Sequence, residues 1–269
     1  MTEYILRDHT DADRPALRRL WTTCFGDSDE TVGDFHDRFL KPGSCITAVC
    51  DGIVVSAMYI LPIQNIQTSR RRNFTAGYTY ALATLPAYRG RGIGTAVYRA
   101  CCERVLQRDT FACVLPAEPS LYPFYEDASG AAPVSYIREA RFTRGELKAA
   151  PSSMAVRFPG DRYGALRENL LIGYPHATFE AEFYEWMERY GMEFFMLENG
   201  LAAAEVTEGI CTIHELLVPE GDMVAGAAAV ARWCPADIYI LRTPVFFEGP
   251  GEDKPYMLAS FDKPARLTQ

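Results

Sequence analysis

The segment Ala87-Tyr88-Arg89-Gly90-Arg91-Gly92-Ile93-Gly94 constrains what this chain can fold into more than any other. Three glycines at alternate positions separate an apolar run ending at Pro86 from an amphipathic run over 94–107. Glycine tolerates φ > 0 and carries no Cβ, so backbone N–H groups can close around a ligand. A helix starting at Gly94-Thr95 points its first amides and the positive end of its dipole at the same spot. Arg89 and Arg91 add charge there. The combination predicts a diphosphate cradle between a strand and a helix; the alternative is a helix start whose glycines serve only a tight turn. A nucleoside-triphosphate P-loop is excluded because no Lys-Ser/Thr follows. A dinucleotide fingerprint fails because the sixth position from Gly92 is Val97, and no chain-initial βαβ unit surrounds it.

The chain has 269 residues, enough for one large domain or two medium ones, each able to bury its own core. With 48% hydrophobic and 23% charged residues it is neither disordered nor collagen-like. No apolar run approaches about 18 residues, so no membrane span is expected. The charged start Met-Thr-Glu-Tyr-Ile-Leu-Arg-Asp has no signal-peptide core, which makes a cytoplasmic location the expectation. The cysteines at 24, 45, 50, 101, 102, 113, 211 and 234 form no C-x-x-C pair and read as reduced, buried thiols. His9, His36, His176 and His214 show no metal-ligand spacing, so no metal is expected.

A net charge of −8 argues against nucleic acid as a partner. The acidity is uneven: residues 1–150 hold 18 Lys+Arg against 17 Asp+Glu, and residues 151–269 hold 9 against 18. Within the first part, residues 70–108 contain eight arginines and one acid, Glu103. That block is either a solvated basic face or a site for a small polyanion.

Spacing predicts a strand at Glu3–Arg7, a helix over Ala16–Phe25 stopped by Gly26, and a second helix over Asp29–Leu40. A hairpin follows over Ile46–Ile63 about the Asp51-Gly52 turn. A strand at Gly77–Leu85, the helix Gly94–Gln107, a strand at Phe111–Leu115, a short helix at Leu121–Ala128 and a last strand at Val134–Arg141 complete a first part. Lys148–Ser153 reads as a linker, placing domains at 1–149 and 150–269. Beyond it come helices over Asp161–Leu170 and Thr178–Tyr190, a hairpin about Asn199-Gly200, a strand at Ile210–Val218, a helix at Met223–Trp233 and a strand at Ile238–Leu241. The order strand–Pro–loop–helix–strand–Pro occurs twice, around Pro86 and Pro116 and again around Pro219 and Pro244. This points to a diverged duplication, or to recurrence of a common unit; only the first copy has a glycine- and arginine-rich loop.

The loop also fits (Arg/Gln)-x-x-Gly-x-(Gly/Ala), and with Tyr80-Ala-Leu-Ala-Thr-Leu-Pro before it the chain resembles the GNAT (Gcn5-related) superfamily of N-acetyltransferases. The resemblance covers about residues 3–145 and suggests a bacterial-type, two-part member whose C-terminal half is a degenerate GNAT-like domain. It implies an α+β fold: a mixed, mostly antiparallel sheet between helices, whose fourth and fifth strands splay apart. It implies acetyl-CoA as cosubstrate, with pantetheine along the backbone of Leu82, Ala83 and Thr84. The diphosphate would lie on residues Arg89, Gly90, Arg91, Gly92, Ile93, Gly94 and Thr95. The family places a tyrosine on the short helix as general acid to the leaving thiolate. Tyr125 sits at the usual spacing from Glu118. Tyr122 sits at the spacing of the enhanced-intracellular-survival type of aminoglycoside acetyltransferase.

On this reading an acetyl group passes to a primary amine by direct attack in a ternary complex, with a backbone N–H around Ala83-Thr84 facing the oxyanion. A tyrosine of pKa about 10 can protonate a thiolate whose thiol has pKa about 8.5. No glutamate lies in Gly77–Leu85, so the base is an ordered water, an acid from elsewhere, or His36 as a weak candidate. The acidic loop Phe25–Glu30 points to a cationic acceptor (an aminoglycoside, a polyamine or a peptide amine) or else caps the following helix. Two other classes compete: a non-catalytic acyl-CoA-binding sensor, and an interaction protein whose acidic half is the functional surface.

Overall fold

The first strand β1 (Ile5–Asp8) leads into helices α1 (Arg14–Phe25) and α2 (Asp29–Phe39). Pro15 lies in the first turn of α1, where a missing N–H costs nothing, and Gly26 closes α1 in the left-handed conformation. Ser28 caps α2 by accepting from the Thr31 amide. Strands β2 (Cys45–Cys50) and β3 (Ile53–Gln67) follow, then β4 (Asn73–Thr84), α3 (Ile93–Leu106), β5 (Phe111–Val114), α4 (Tyr122–Ser129) and β6 (Ala132–Pro133). The β2–β3 turn has φ 47° at Asp51 and 78° at Gly52, the conformation an Asp-Gly hairpin favours.

The remainder comprises β7 (Tyr136–Thr143), α5 (Arg144–Ala149), β8 (Ala155–Arg157), α6 (Gly160–Leu170), β9 (His176–Thr178), α7 (Ala181–Arg189), β10 (Glu193–Leu197) and β11 (Gly200–Thr207). Then come β12 (Ile210–Leu217), α8 (Met223–Ala231), β13 (Ile238–Pro244), β14 (Glu252–Pro255) and β15 (Leu258–Ser260). This computed structural model describes residues 3–67 and 73–261. They form two compact units, one of residues 3–66, 73–134 and 257–261, the other built on residues 135–256.

The first unit carries a sheet in the order β1-β2-β3-β4-β5-β15-β6. Strands β4 and β5 run parallel, joined by α3, whereas β1–β2, β2–β3, β5–β15 and β15–β6 are antiparallel. Helix α3 buries Val97, Tyr98, Cys101, Cys102 and Val105 against Ile46, Met58, Ile60 and Val114. Side chains alternate faces along a strand, so Tyr59 points the other way, where it meets Trp21 of α1 and Phe35 of α2. The second unit's sheet runs β14-β7-β13-β12-β11-β10-β8, again with a parallel pair, β12–β13, joined by a helix, α8. The strand–helix–strand order seen twice in the sequence is therefore one parallel crossover in each unit.

Two expectations shift. The unit boundary falls after residue 134, not after 149. The expected linker overlaps α5, which Thr143 and Glu146 start with a reciprocal capping box. The strand expected at Val134–Arg141 joins the second sheet as β7, because Ala140 and Phe142 pair with Leu241 and Tyr239 and Ala140 enters that unit's core. Its seat in the first sheet is taken by β15, which sequence reading missed.

Close packing of α3 on β4 depends on Gly77, where an added Cβ would lie 2.6 Å from Val105 Cγ2 and 3.3 Å from Ile60 Cγ2. Gly77→Ala is expected to cost about 1–3 kcal/mol in thermal or denaturant unfolding. An unchanged midpoint would contradict this packing.

Candidate functional site

The glycine-rich loop leaves β4 through a 3-10 turn at Pro86–Tyr88 and enters α3 at Ile93. Gly90 and Gly92 adopt φ 73° and 75°, and a Cβ on either would meet no heavy atom within 4 Å. Their requirement is thus conformational rather than spatial. The Ala96 amide donates to the Gly92 carbonyl. The amides of Ile93, Gly94 and Thr95 precede it and point out of the helix end, and Gly92, in the capping position, has no side chain to cover them. A cradle of this kind fits a diphosphate.

The arginines do something the sequence did not suggest. Arg89 Nε donates to the Thr84 carbonyl at 3.0 Å, and its Nη2 lies 3.8 Å from Cys24 Sγ. Arg91 Nη2 donates to the Ala87 carbonyl at 2.8 Å, with its guanidinium 5.4 Å from the Tyr88 ring centroid. Both brace the loop while adding positive field. Arg104 of the same basic block pairs with Asp8, and Arg99 donates to the Ala128 carbonyl. Arg70, Arg71 and Arg72 lie outside the described residues.

Beside this helix end the sheet opens. Pairing of β4 with β5 runs from Ala76↔Phe111 to Tyr78↔Cys113, and Thr79 Oγ1 donates to the Cys113 carbonyl at 2.9 Å. Beyond that point β4 continues to Thr84 without β5. Ala81 has φ 52°, a left-handed residue inside a strand, and kinks β4 there. The Ala83 carbonyl accepts from Ser56 Oγ at 2.7 Å and the Leu85 amide donates to Val55. Both therefore face β3, and alternation turns Leu82 and Thr84 to the opposite edge. Of the three residues expected along pantetheine, Leu82 and Thr84 present backbone to that edge and Ala83 does not.

Helix α4 carries both candidate tyrosines, three positions apart on one face. Pro119 opens a 3-10 turn and Pro123 sits in the first turn of α4, so neither interrupts the helix. Tyr122 is half-buried at the start of α4. Tyr125 is 8% exposed, its ring edge-on to Tyr98 at 4.9 Å and to Phe124 at 5.0 Å. Burial raises its phenol above the ordinary tyrosine value.

On the other face of β4 lies an aromatic wall. Trp21 meets Phe35 at 4.8 Å and Tyr80 at 6.0 Å, and Tyr80 meets Tyr78 at 5.6 Å. His36 lies behind it, 1% exposed, with Nε2 2.8 Å from Tyr59 Oη. Burial, then the charges of Arg14 and Arg18, lower its pKa to about 4. That imidazole is neutral and walled off, which makes it unsuited to act as base. In the acidic loop, Asp27 accepts from Trp21 Nε1 at 2.7 Å and Asp29 is gripped by Arg18. Glu30 is exposed in the first turn of α2. No group of three or more His, Cys, Asp or Glu is placed to hold a metal among the described residues.

The second unit repeats the frame without the cradle. Its register shift sets His214 apart in β12, five residues before Pro219, as Ala81 stands five before Pro86. The next residue, Glu215, is held by Tyr163 Oη at 2.8 Å and by Arg167 Nε at 2.7 Å. Asp222 occupies the capping position of α8, placing negative charge where α3 has Gly92.

Residues 6–127 match the family of the acetyltransferase (GNAT) domain. No curated protein matches the chain. Among solved structures, a GCN5-related N-acetyltransferase from Kribbella flavida is 17% identical over 96% of this chain and 70% of its own, with a TM-score of 0.65. A conserved protein of unknown function from Enterococcus faecalis V583, a probable N-acyltransferase, is 12% identical over 97% and 72%, with a TM-score of 0.70. A putative acetyltransferase from Pyrococcus horikoshii is 15% identical over 98% and 91%, with a TM-score of 0.61. At these identities the likeness establishes the fold, and it extends over both units.

The buried imidazole has a measurable consequence. A folded-state pKa lowered from 6.5 to about 4 stabilises the protein fully above pH 6.5, and that contribution is lost as pH falls toward 4. The stability difference between wild type and His36→Gln is expected to shrink by roughly 1–3 kcal/mol between pH 7 and pH 4 in denaturant titrations. A pH-independent difference would contradict a neutral His36.

Proposed function

We propose that this chain, whose residues 6–127 match the acetyltransferase (GNAT) domain family, moves an acetyl group from acetyl-CoA to a primary amine by direct attack in a ternary complex. One observation supports this most: the outward amides of residues 93–95 stand beside the gap that opens past the Tyr78–Cys113 pair. The residues present fit the cosubstrate. Gly90 and Gly92 clear the cradle of side chains, and Leu82 and Thr84 turn backbone groups to the free edge of β4. Acetyl-CoA supplies an acyl thioester already activated for transfer.

The amides of Ile93, Gly94 and Thr95 take up diphosphate charge, helped by the field of Arg89 and Arg91. A backbone N–H beside the Ala81 kink faces the carbonyl oxygen, where it stabilises the charge that develops during attack. The Tyr125 phenol, kept protonated by burial, donates to the departing sulfur. Tyr122, one turn earlier on the same face, is the second choice. Holding both partners together supplies much of the rate; the ammonium of the acceptor gives one proton to water before attack, the C–N bond forms as the C–S bond breaks, and the second proton on nitrogen returns through water to the Tyr125 phenolate. A cationic acceptor (an aminoglycoside, a polyamine or a peptide amine) is supported by exposed Glu30 and by the half-buried ring of Tyr80, which can face a cation.

Calorimetric titration tests the cosubstrate. Wild type is expected to bind acetyl-CoA with a dissociation constant on the order of 1–100 μM. Arg89→Glu/Gly92→Glu is expected to lose binding about 100-fold or more, since it places charge and bulk at the diphosphate. Absence of binding to folded wild type would sink the transferase reading. In an amine screen followed by thiol release, Tyr125→Phe is expected to lower kcat about 100-fold with little change in KM for acetyl-CoA. Binding without turnover of any amine would favour an acyl-CoA sensor instead.

A further inference from the structure

We propose that β15, contributed from the far end of the chain, is a working part of the acyl-transfer site: Ser260 positions α4, and with it Tyr125, through Ser129. The proposal rests on the acyltransferase reading above. β15 pairs antiparallel with β5 through Leu258↔Val114 to Ser260↔Ala112, and with β6 through Leu258↔Pro133 and Ala259↔Ala132. Helix α4 lies in the connection between β5 and β6. One strand therefore staples the chain on both sides of the helix that carries the candidate acid. Leu258 and Ala259 are fully buried, and Ser260 nearly so.

The contact to α4 is specific. Ser260 Oγ lies 2.7 Å from Ser129 Oγ. Ser129 also donates to the Tyr125 carbonyl at 3.2 Å and lies 3.2 Å from Tyr98 Oη. Tyr98 in turn packs edge-on against the Tyr125 ring. Tyr125 is thus fixed at its backbone by Ser129 and at its ring by Tyr98, and Ser260 bonds both of these holders. An eight-residue helix is too short to hold itself, so such anchors set where its side chains sit. Ser260 is a positioning residue; it reaches the reaction only through Ser129 and Tyr98, the two residues that hold Tyr125.

The test uses Ser260→Ala, Ser129→Ala, the double variant and Ser260→Thr, with steady-state kinetics and hydrogen exchange on the full chain. Ser260→Ala is expected to lower kcat about tenfold with KM for acetyl-CoA within about twofold, and Ser260→Thr to restore it. The effects of the two single variants should combine to less than their product in the double variant, because Ser129 and Ser260 belong to one hydrogen-bonded cluster. Exchange should quicken at residues 122–129 and stay unchanged at 93–106. Wild-type kcat in Ser260→Ala, or kcat and KM failing together with faster exchange throughout, would overturn the proposal. If wild type acetylates no amine, the acyltransferase reading falls on its own. Exchange then decides the tether: quickening confined to α4 in Ser260→Ala supports it, and unchanged exchange there overturns it.

Discussion

The first unit depends on where one parallel strand pair stops. β4 and β5 are hydrogen-bonded only as far as Tyr78 and Cys113, and Thr79 closes the seam by donating to the Cys113 carbonyl. Because parallel strands need a crossover, α3 must start at the far end of β4, and its N-terminal amides arrive beside the opening. The kink at Ala81 and the left-handed Gly90 and Gly92 then turn what would have been a continuous sheet edge into a cleft lined by backbone donors. Backbone groups cannot be mutated away, and the proposed acyl-CoA site draws on them at little cost in side-chain entropy.

The second unit carries the same strand–helix–strand frame with different residues at the corresponding positions. β12 leaves β13 after Ile213↔Leu241, and the register shift sets His214 where Ala81 stands in the first unit. Yet Glu215, Tyr163 and Arg167 form a hydrogen-bonded cluster against β12. The Arg167 charge is stabilised there by Glu215 despite its burial, so its pKa is raised. A buried pair of this kind survives only when well partnered, and it is costly to break. Asp222 at the start of α8 completes the change from an anion-accepting end to an anion-repelling one.

Much of this was legible in the sequence because it is local. The alternating glycines, the preceding proline and the apolar spacing of residues 94–107 announce the strand–loop–helix unit, and the Asp51-Gly52 turn announces its hairpin. What could not be read depends on distant partners. Arg89 and Arg91 suggested ligand contacts; that each also braces the loop by donating to a carbonyl, of Thr84 and of Ala87, shows only once the loop is folded. Asp29 suggested acceptor recognition, but Arg18 of α1 grips it. The strand at 136–143 has a pattern compatible with either sheet; pairing with β13 decides it. β15 is three residues long, too short for any periodicity to show, and its place in the first sheet is set by partners more than 120 residues earlier in the chain.

On the proposed reading the first unit, and not the second, holds an acyl-CoA along β4 and on the amides that open α3. Backbone amide chemical shifts followed during titration with coenzyme A test it most directly. The account predicts the largest changes at Leu82, Thr84 and residues 90–95, with the corresponding stretch of the second unit, Glu215–Met223, left still. Changes confined to that second stretch, or no changes at residues 90–95 at saturating coenzyme A, would contradict it.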